Sequence, residues 1–161
     1  MISIVTKSAD DTKAVAASVA ALAGPGEVIL LSGDLGAGKT TFAQGFGQAL
    51  GISEPIVSPT FTLVRTYPGR LNLVHCDAYR LDGVAEVEDL GLSELLEDGG
   101  VAVVEWGEVV AAALPADFLE VRMEAGSGDD DDDRILAFRA VGPTWSARWL
   151  QLELALGRWS A

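Results

Sequence analysis

The chain is poor in cysteine, in basic residues and in long apolar runs. Among its 161 residues there is one cysteine, Cys76, which excludes an internal disulfide. Lysine and arginine number 11 against 24 aspartates and glutamates, for a net charge of −13. Five of the negative charges form one run at 129–133, and the remainder is still acidic. An acidic surface repels phosphate backbones, so a role on nucleic acid would need a basic partner or a small local patch. No stretch reaches the ~18 apolar residues that span a bilayer. The N-terminal MISIVTKSADD has no basic start, apolar run or cleavage site of a secretory signal. A soluble cytoplasmic protein is expected, as a single domain over 1–161.

Hydrophobic residues make up 49% of the sequence, enough for a sizeable core. Residues 2–6 alternate in the manner of a short edge strand. Ser8 followed by Asp11 marks a helix start, and Val15, Val19 and Leu22 follow at helical spacing. Gly24-Pro25-Gly26 ends that helix. Residues 28–31 read as a buried strand, 41–50 as a helix closed by Gly51, and 61–65 and 71–75 as a hairpin about Tyr67-Pro68-Gly69-Arg70. An acidic helix over 86–96, a buried strand over 101–104 and a short helix over 109–114 stopped by Pro115 come next. Two strands, 118–123 and 135–140, flank the aspartate run, which reads as a solvated loop. A last helix after Gly142-Pro143 carries Trp145, Trp149, Leu152 and Leu156 on one face, a stripe expected to be core. The fold class is α/β, with a mixed sheet between helices.

"GDLGAGKTTF", residues 33–42, meets the Walker A pattern in full. Gly33, Gly36 and Gly38 let the backbone turn tightly and bring the loop amides, with that of Ala37, close to phosphate oxygens. The helix that follows points its positive end at the same oxygens. Lys39 can reach the outer phosphates, Thr40 can place a hydroxyl on magnesium, and Thr41 can bond an inner phosphate. A buried strand before the loop and a helix after it supply the required context.

A magnesium nucleotide also needs acids. "LNLVHCD" ends in Asp77 and "VAVVE" in Glu105. Ligands of open sheets bind beyond the carboxyl ends of the strands, so both acids can face the phosphates. One would hold the metal through water and the other would orient the attacking water; which does which is open at this point. His75 reads as a satisfied interior histidine and Cys76 as buried and inert. Tyr79 and Arg80 read equally as a structural pair or a partner contact.

Several nucleotide enzymes are excluded by residues. The single asparagine, Asn72, is not in an Asn-Lys-x-Asp guanine reader. There is no length for the second domain of a AAA-type motor. The eight arginines are scattered and do not form the lid of a small-molecule P-loop kinase, which stays as the alternative reading, transferring phosphate to a metabolite.

Three further stretches, "SPTF" at 58–61, "HCDAYRL" at 75–81 and "VVEWGE" at 103–108, stand with GDLGAGKTT in an order and spacing that resemble the TsaE family over residues 8–125. These are bacterial ATPases required for the threonylcarbamoyladenosine modification of tRNA. The resemblance implies a P-loop NTPase-like fold with an antiparallel element, and ATP and magnesium as cofactors. It also implies ATP hydrolysis that supports turnover of the TsaD and TsaB partners, with tRNA reached only through that complex. By the same resemblance Lys39 and Thr40 hold phosphate and magnesium, Glu105 is the metal-side acid, and Asp77 is an acid needed for activity. Ser58 and Thr60 lie in a switch-like loop, and Trp106 lines the site rim. Phe61 stands where the family often has tyrosine.

Overall fold

A computed structural model describes residues 1–34, 36–58, 64–78, 88–106, 111, 114, 116–126 and 130–160. In chain order the elements are β1 (Ile2–Thr6), α1 (Ala9–Leu22), β2 (Val28–Ser32), α2 (Lys39–Ala49), β3 (Val64–Tyr67), β4 (Leu73–Asp77), α3 (Leu92–Glu97), β5 (Val101–Glu105), β6 (Phe118–Ala125), β7 (Arg134–Val141), α4 (Pro143–Ala147), α5 (Trp149–Leu156) and a 3₁₀ turn at Gly157–Trp159. The strands form one seven-stranded sheet in the order β1-β7-β6-β2-β5-β4-β3. The four central strands, β6, β2, β5 and β4, run parallel. The pairs β1–β7, β6–β7 and β3–β4 are antiparallel. The sheet is therefore mixed, and β3–β4 is the expected hairpin, with β1 at the opposite edge.

Strand alternation sorts the side chains into two cores. Ile29, Leu31, Val101, Val103, Leu119 and Val121 face one side, where they pack with Val15 and Val19 of α1, Phe42 and Phe46 of α2, and Leu152 and Leu156 of α5. Val28, Leu30, Val74, Cys76, Ala102 and Val104 face the other, with Leu92 of α3. A parallel strand covered on both faces has no polar side to show. This explains the near-continuous apolar runs VILLS and VAVVE, in which every residue is buried.

Helix α1 begins where the Ser8 hydroxyl accepts from the Asp11 N–H at 3.1 Å, and Asp10 and Asp11 lie in its first turn, where negative charge suits the helix dipole. It packs closely on α2. A Cβ built on Gly45 would lie 2.5 Å from Lys13 Cα and 2.7 Å from its carbonyl oxygen. Backbone cannot swing aside as a side-chain tip can, so Gly45→Ala is expected to destabilise the fold by ~1–3 kcal/mol, as overpacked core sites do. A denaturant melt read at constant slope checks this.

Some expectations are corrected. The last helix is two, α4 and α5, with Arg148 at the break (φ −101°, ψ 5°). There its guanidinium clamps Glu27 bidentately, Nη2 donating to Oε2 at 2.8 Å and Nη1 to Oε1. Trp145, Leu152 and Leu156 are nonetheless fully buried, as the stripe implied. Helix α2 starts two residues earlier than expected, at Lys39. In the aspartate run Asp130, Asp131 and Asp132 are exposed, but Asp133 is buried and paired with Lys7 at 3.0 Å. Residues 61–63 and 86–87 and most of the expected helix over 109–114 lie outside the described residues. No described helix is long and apolar enough to cross a membrane.

Candidate nucleotide site

The parallel strands all end at one edge of the sheet. Register pairs Asp77 with Glu105 and Leu31 with Glu105, so two acids and the glycine loop after β2 meet there. His75, Asp77, Val103 and Glu105 alternate onto the α2 side of the sheet. At Gly33 the chain turns away from β2 with φ 136°, and a Cβ there would lie 2.1 Å from the Met123 carbonyl oxygen of β6. Glycine is needed on both counts. Gly38 is the N-cap of α2 at φ 103°, again left-handed. The first N–H groups of an α-helix lack intrahelical partners, and no side chain caps them here, so this helix start is of the kind that takes anions.

Lys39 opens the helix and folds back over the loop. Its Nζ donates to the carbonyl oxygens of Gly33 and Asp34, each at 2.8 Å, and lies 4.0 Å from the centroid of the Trp106 ring. Trp106 has φ 62°, the one non-glycine residue with positive φ among those described. Such a backbone costs ~1–3 kcal/mol and is kept where its surroundings enforce it. Here it turns the chain straight after Glu105 and brings the indole over the lysine. Thr41, half-buried, lies on the first turn of α2.

The Thr40 hydroxyl donates to Glu105 Oε1 at 2.9 Å. Glu105 is 3% exposed, and its other oxygen, Oε2, lies 2.5 Å from His75 Nε2. His75 was expected to be an interior histidine, and it is fully buried; its tie to the site was missed. The signal was its i, i+2 spacing to Asp77, which puts both on one strand face. Asp77 Oδ2 accepts from the Ser58 hydroxyl at 3.0 Å. Thr60 lies outside the described residues. Cys76 points to the opposite face. Burial first, then the nearby charges of Asp77 and Glu105, push its thiol up to about 12 from its ordinary 9.0, so no thiolate is available for chemistry at neutral pH.

The aspartate loop also touches the phosphate loop, which sequence reasoning missed. Arg134 donates from Nη2 to the Gly36 carbonyl oxygen at 3.3 Å and from Nη1 to the Asp133 carbonyl oxygen at 2.8 Å. A groove of about 780 Å³ borders the loop, lined by Ser32, Gly33, Asp34, Trp106, Glu120 and Arg122 among others.

The donors present fit a magnesium nucleotide. Among the described residues no cluster of three or more His, Cys, Asp or Glu forms a metal cage. Thr40 and Glu105 are two hard oxygen donors in contact, the small protein share that magnesium takes when phosphates and water supply the rest.

The family described as "Threonylcarbamoyl adenosine biosynthesis protein TsaE" matches residues 6–135. The chain is 45% identical over 138 residues to the tRNA threonylcarbamoyladenosine biosynthesis protein TsaE of Bacillus subtilis, covering 85% of this chain and 84% of that one. With the Streptomyces coelicolor protein of the same name it is 43% identical, over 75% and 84% of the two chains. Among solved structures, the crystal structure of Bacillus subtilis YdiB superposes with a TM-score of 0.77 at 38% identity, covering 98% of this chain and 94% of that one. The chain therefore belongs to the TsaE family, the P-loop ATPases that act as accessory factors to the TsaB–TsaD carbamoyltransferase in making threonylcarbamoyladenosine on tRNA.

Proposed function

We propose that this chain binds magnesium ATP across residues 33–41 and hydrolyses it in direct association with TsaD and TsaB, reaching tRNA only through that complex. The observation that carries the site assignment is the Thr40–Glu105 hydrogen bond of 2.9 Å, which joins the phosphate loop to the end of β5. In this reading the loop amides and Lys39 take the phosphate oxygens, Lys39 exchanging its two carbonyl partners for them. Thr40 and Glu105 would hold the magnesium, which would neutralise charge on the outer phosphates. Asp77, held by Ser58, orients the attacking water. The water oxygen bonds to the γ-phosphorus as the bond to the bridging oxygen breaks, and ADP leaves while the water's two protons stay on the phosphate released. Trp106 roofs Lys39, and Thr41 bonds an inner phosphate. Thr60 would join Ser58 in a segment that responds to the nucleotide.

Labelled ATP incubated with a metabolite pool is expected to release free phosphate only. A labelled metabolite would instead favour the kinase reading. The isolated chain is expected to bind tRNA weakly or not at all, since its net charge is −13 and nucleic-acid affinity rests largely on phosphate neutralisation. Tight, salt-sensitive binding in a filter or fluorescence titration would contradict access through the complex.

A further inference from the structure

We propose that His75 is a positioning residue for the magnesium side of the site, fixing Glu105 so that a single carboxylate oxygen is presented to Thr40. The proposal rests on the assignment of Glu105 to the metal. His75 lies on β4, and the register puts Asp77, two residues on, opposite Glu105 of β5. The imidazole is thus diagonal to Glu105 on the same sheet face. Both side chains are buried, His75 at 0% and Glu105 at 4% side-chain exposure.

Each ring nitrogen has a different lot. Nε2 is 2.5 Å from Glu105 Oε2, while Nδ1 is buried with no hydrogen-bond partner among the described residues. A carboxylate that holds a cation is ionised and can only accept, so in this role the ring donates from Nε2 to Oε2. On the other side Oε1 accepts from Thr40. The carboxylate is therefore gripped at one oxygen by a group that cannot serve the nucleotide, and offered at the other beside the hydroxyl that can.

This division matters because a glutamate has three side-chain torsions, and at the base of the site nothing else described holds Oε2. Without the ring, that oxygen would be buried and unpaired, an arrangement that costs enough to drive rotation. Rotation would carry Oε1 away from Thr40. A histidine reaches the same point with two torsions and a rigid ring, so its donor is already placed when the cation arrives. Outer groups that orient a metal ligand act in this way.

The test is ATP affinity of the purified protein by equilibrium titration, in EDTA and across a magnesium series, with a thermal melt of each variant. His75→Leu keeps apolar volume and removes the donor. It is expected to leave affinity in EDTA unchanged and to raise the magnesium midpoint by about 10-fold or more, as loss of such orienting partners does. His75→Gln, which retains an N–H of similar reach, is expected to restore most of the shift. Should His75→Leu fail to fold, His75→Asn, whose amide stops short of Oε2, carries the same expectation. A magnesium midpoint unchanged in the folded donor-less variant would overturn the proposal, as would an equal loss of affinity with and without magnesium. Glu105→Ala in parallel separates the two claims. If it shifts the midpoint and His75→Leu does not, the role of His75 alone falls. If it shifts nothing, the assignment of Glu105 falls first.

Discussion

Lys39→Ala is expected to keep the fold and to lose tight ATP binding. Toward the described residues the ammonium makes two hydrogen bonds to carbonyls of its own loop and lies over an indole face. Losing the last costs ~0.5–1 kcal/mol at a partly exposed ring. Lys39 is itself 5% exposed, but of the two residues whose carbonyls are freed Asp34 is exposed and Gly33 half-buried, so water can take the place of the ammonium. The same ammonium is the only lysine at the phosphate loop, since the other two are Lys7 and Lys13. Each charge-assisted bond it would make to phosphate contributes ~1.5–3 kcal/mol. Two of them amount to at least a ~100-fold fall in affinity. Calorimetric ATP titration beside a thermal melt checks both halves. Unchanged affinity in a folded variant would remove the nucleotide from this loop.

Substitution of the two strand-end acids should give different defects. Glu105 contacts Thr40 and is almost wholly buried; Asp77 contacts Ser58 and is half-buried. Glu105→Ala is expected to raise the magnesium requirement of ATPase sharply. Asp77→Ala is expected to bind magnesium ATP nearly normally and to turn it over slowly, since loss of a water-orienting group lowers kcat without removing ground-state binding. A drop of ~100-fold or more is in the range for such a group. Magnesium titrated against ATPase rate for both variants decides the roles. A metal defect in Asp77→Ala but not in Glu105→Ala would reverse them.

Much of this site was legible because its cues are local. A buried apolar run followed by Gly33, Gly38, Lys39 and Thr40 fixes strand, turn and helix start within a dozen residues. The acids were found by a rule about strand ends, which needs only that β4 and β5 run parallel to β2 in the same sheet. Their partners were not legible. His75 reads as interior because its strand neighbours are apolar, and only the register of β4 against β5 brings it to Glu105. The left-handed turn at Trp106 has no sequence mark, since glycine is the usual sign of that backbone. Arg134 touches Gly36 across 98 positions of chain through the fold of β6 and β7. The break at Arg148 escaped for a similar reason. Apolar spacing runs through it, while the ion pair with Glu27 that accompanies it is a long-range contact.

The central claim is that hydrolysis at this site supports repeated rounds of tRNA modification by TsaD and TsaB. Its most direct measurement is multiple-turnover formation of threonylcarbamoyladenosine by the purified TsaD–TsaB pair, with this chain added alongside ATP or a non-hydrolysable analogue. The account predicts many rounds per carbamoyltransferase with the wild-type chain and ATP, and arrest after about one round with the analogue or with Asp77→Ala. Equal turnover in all three conditions would contradict it.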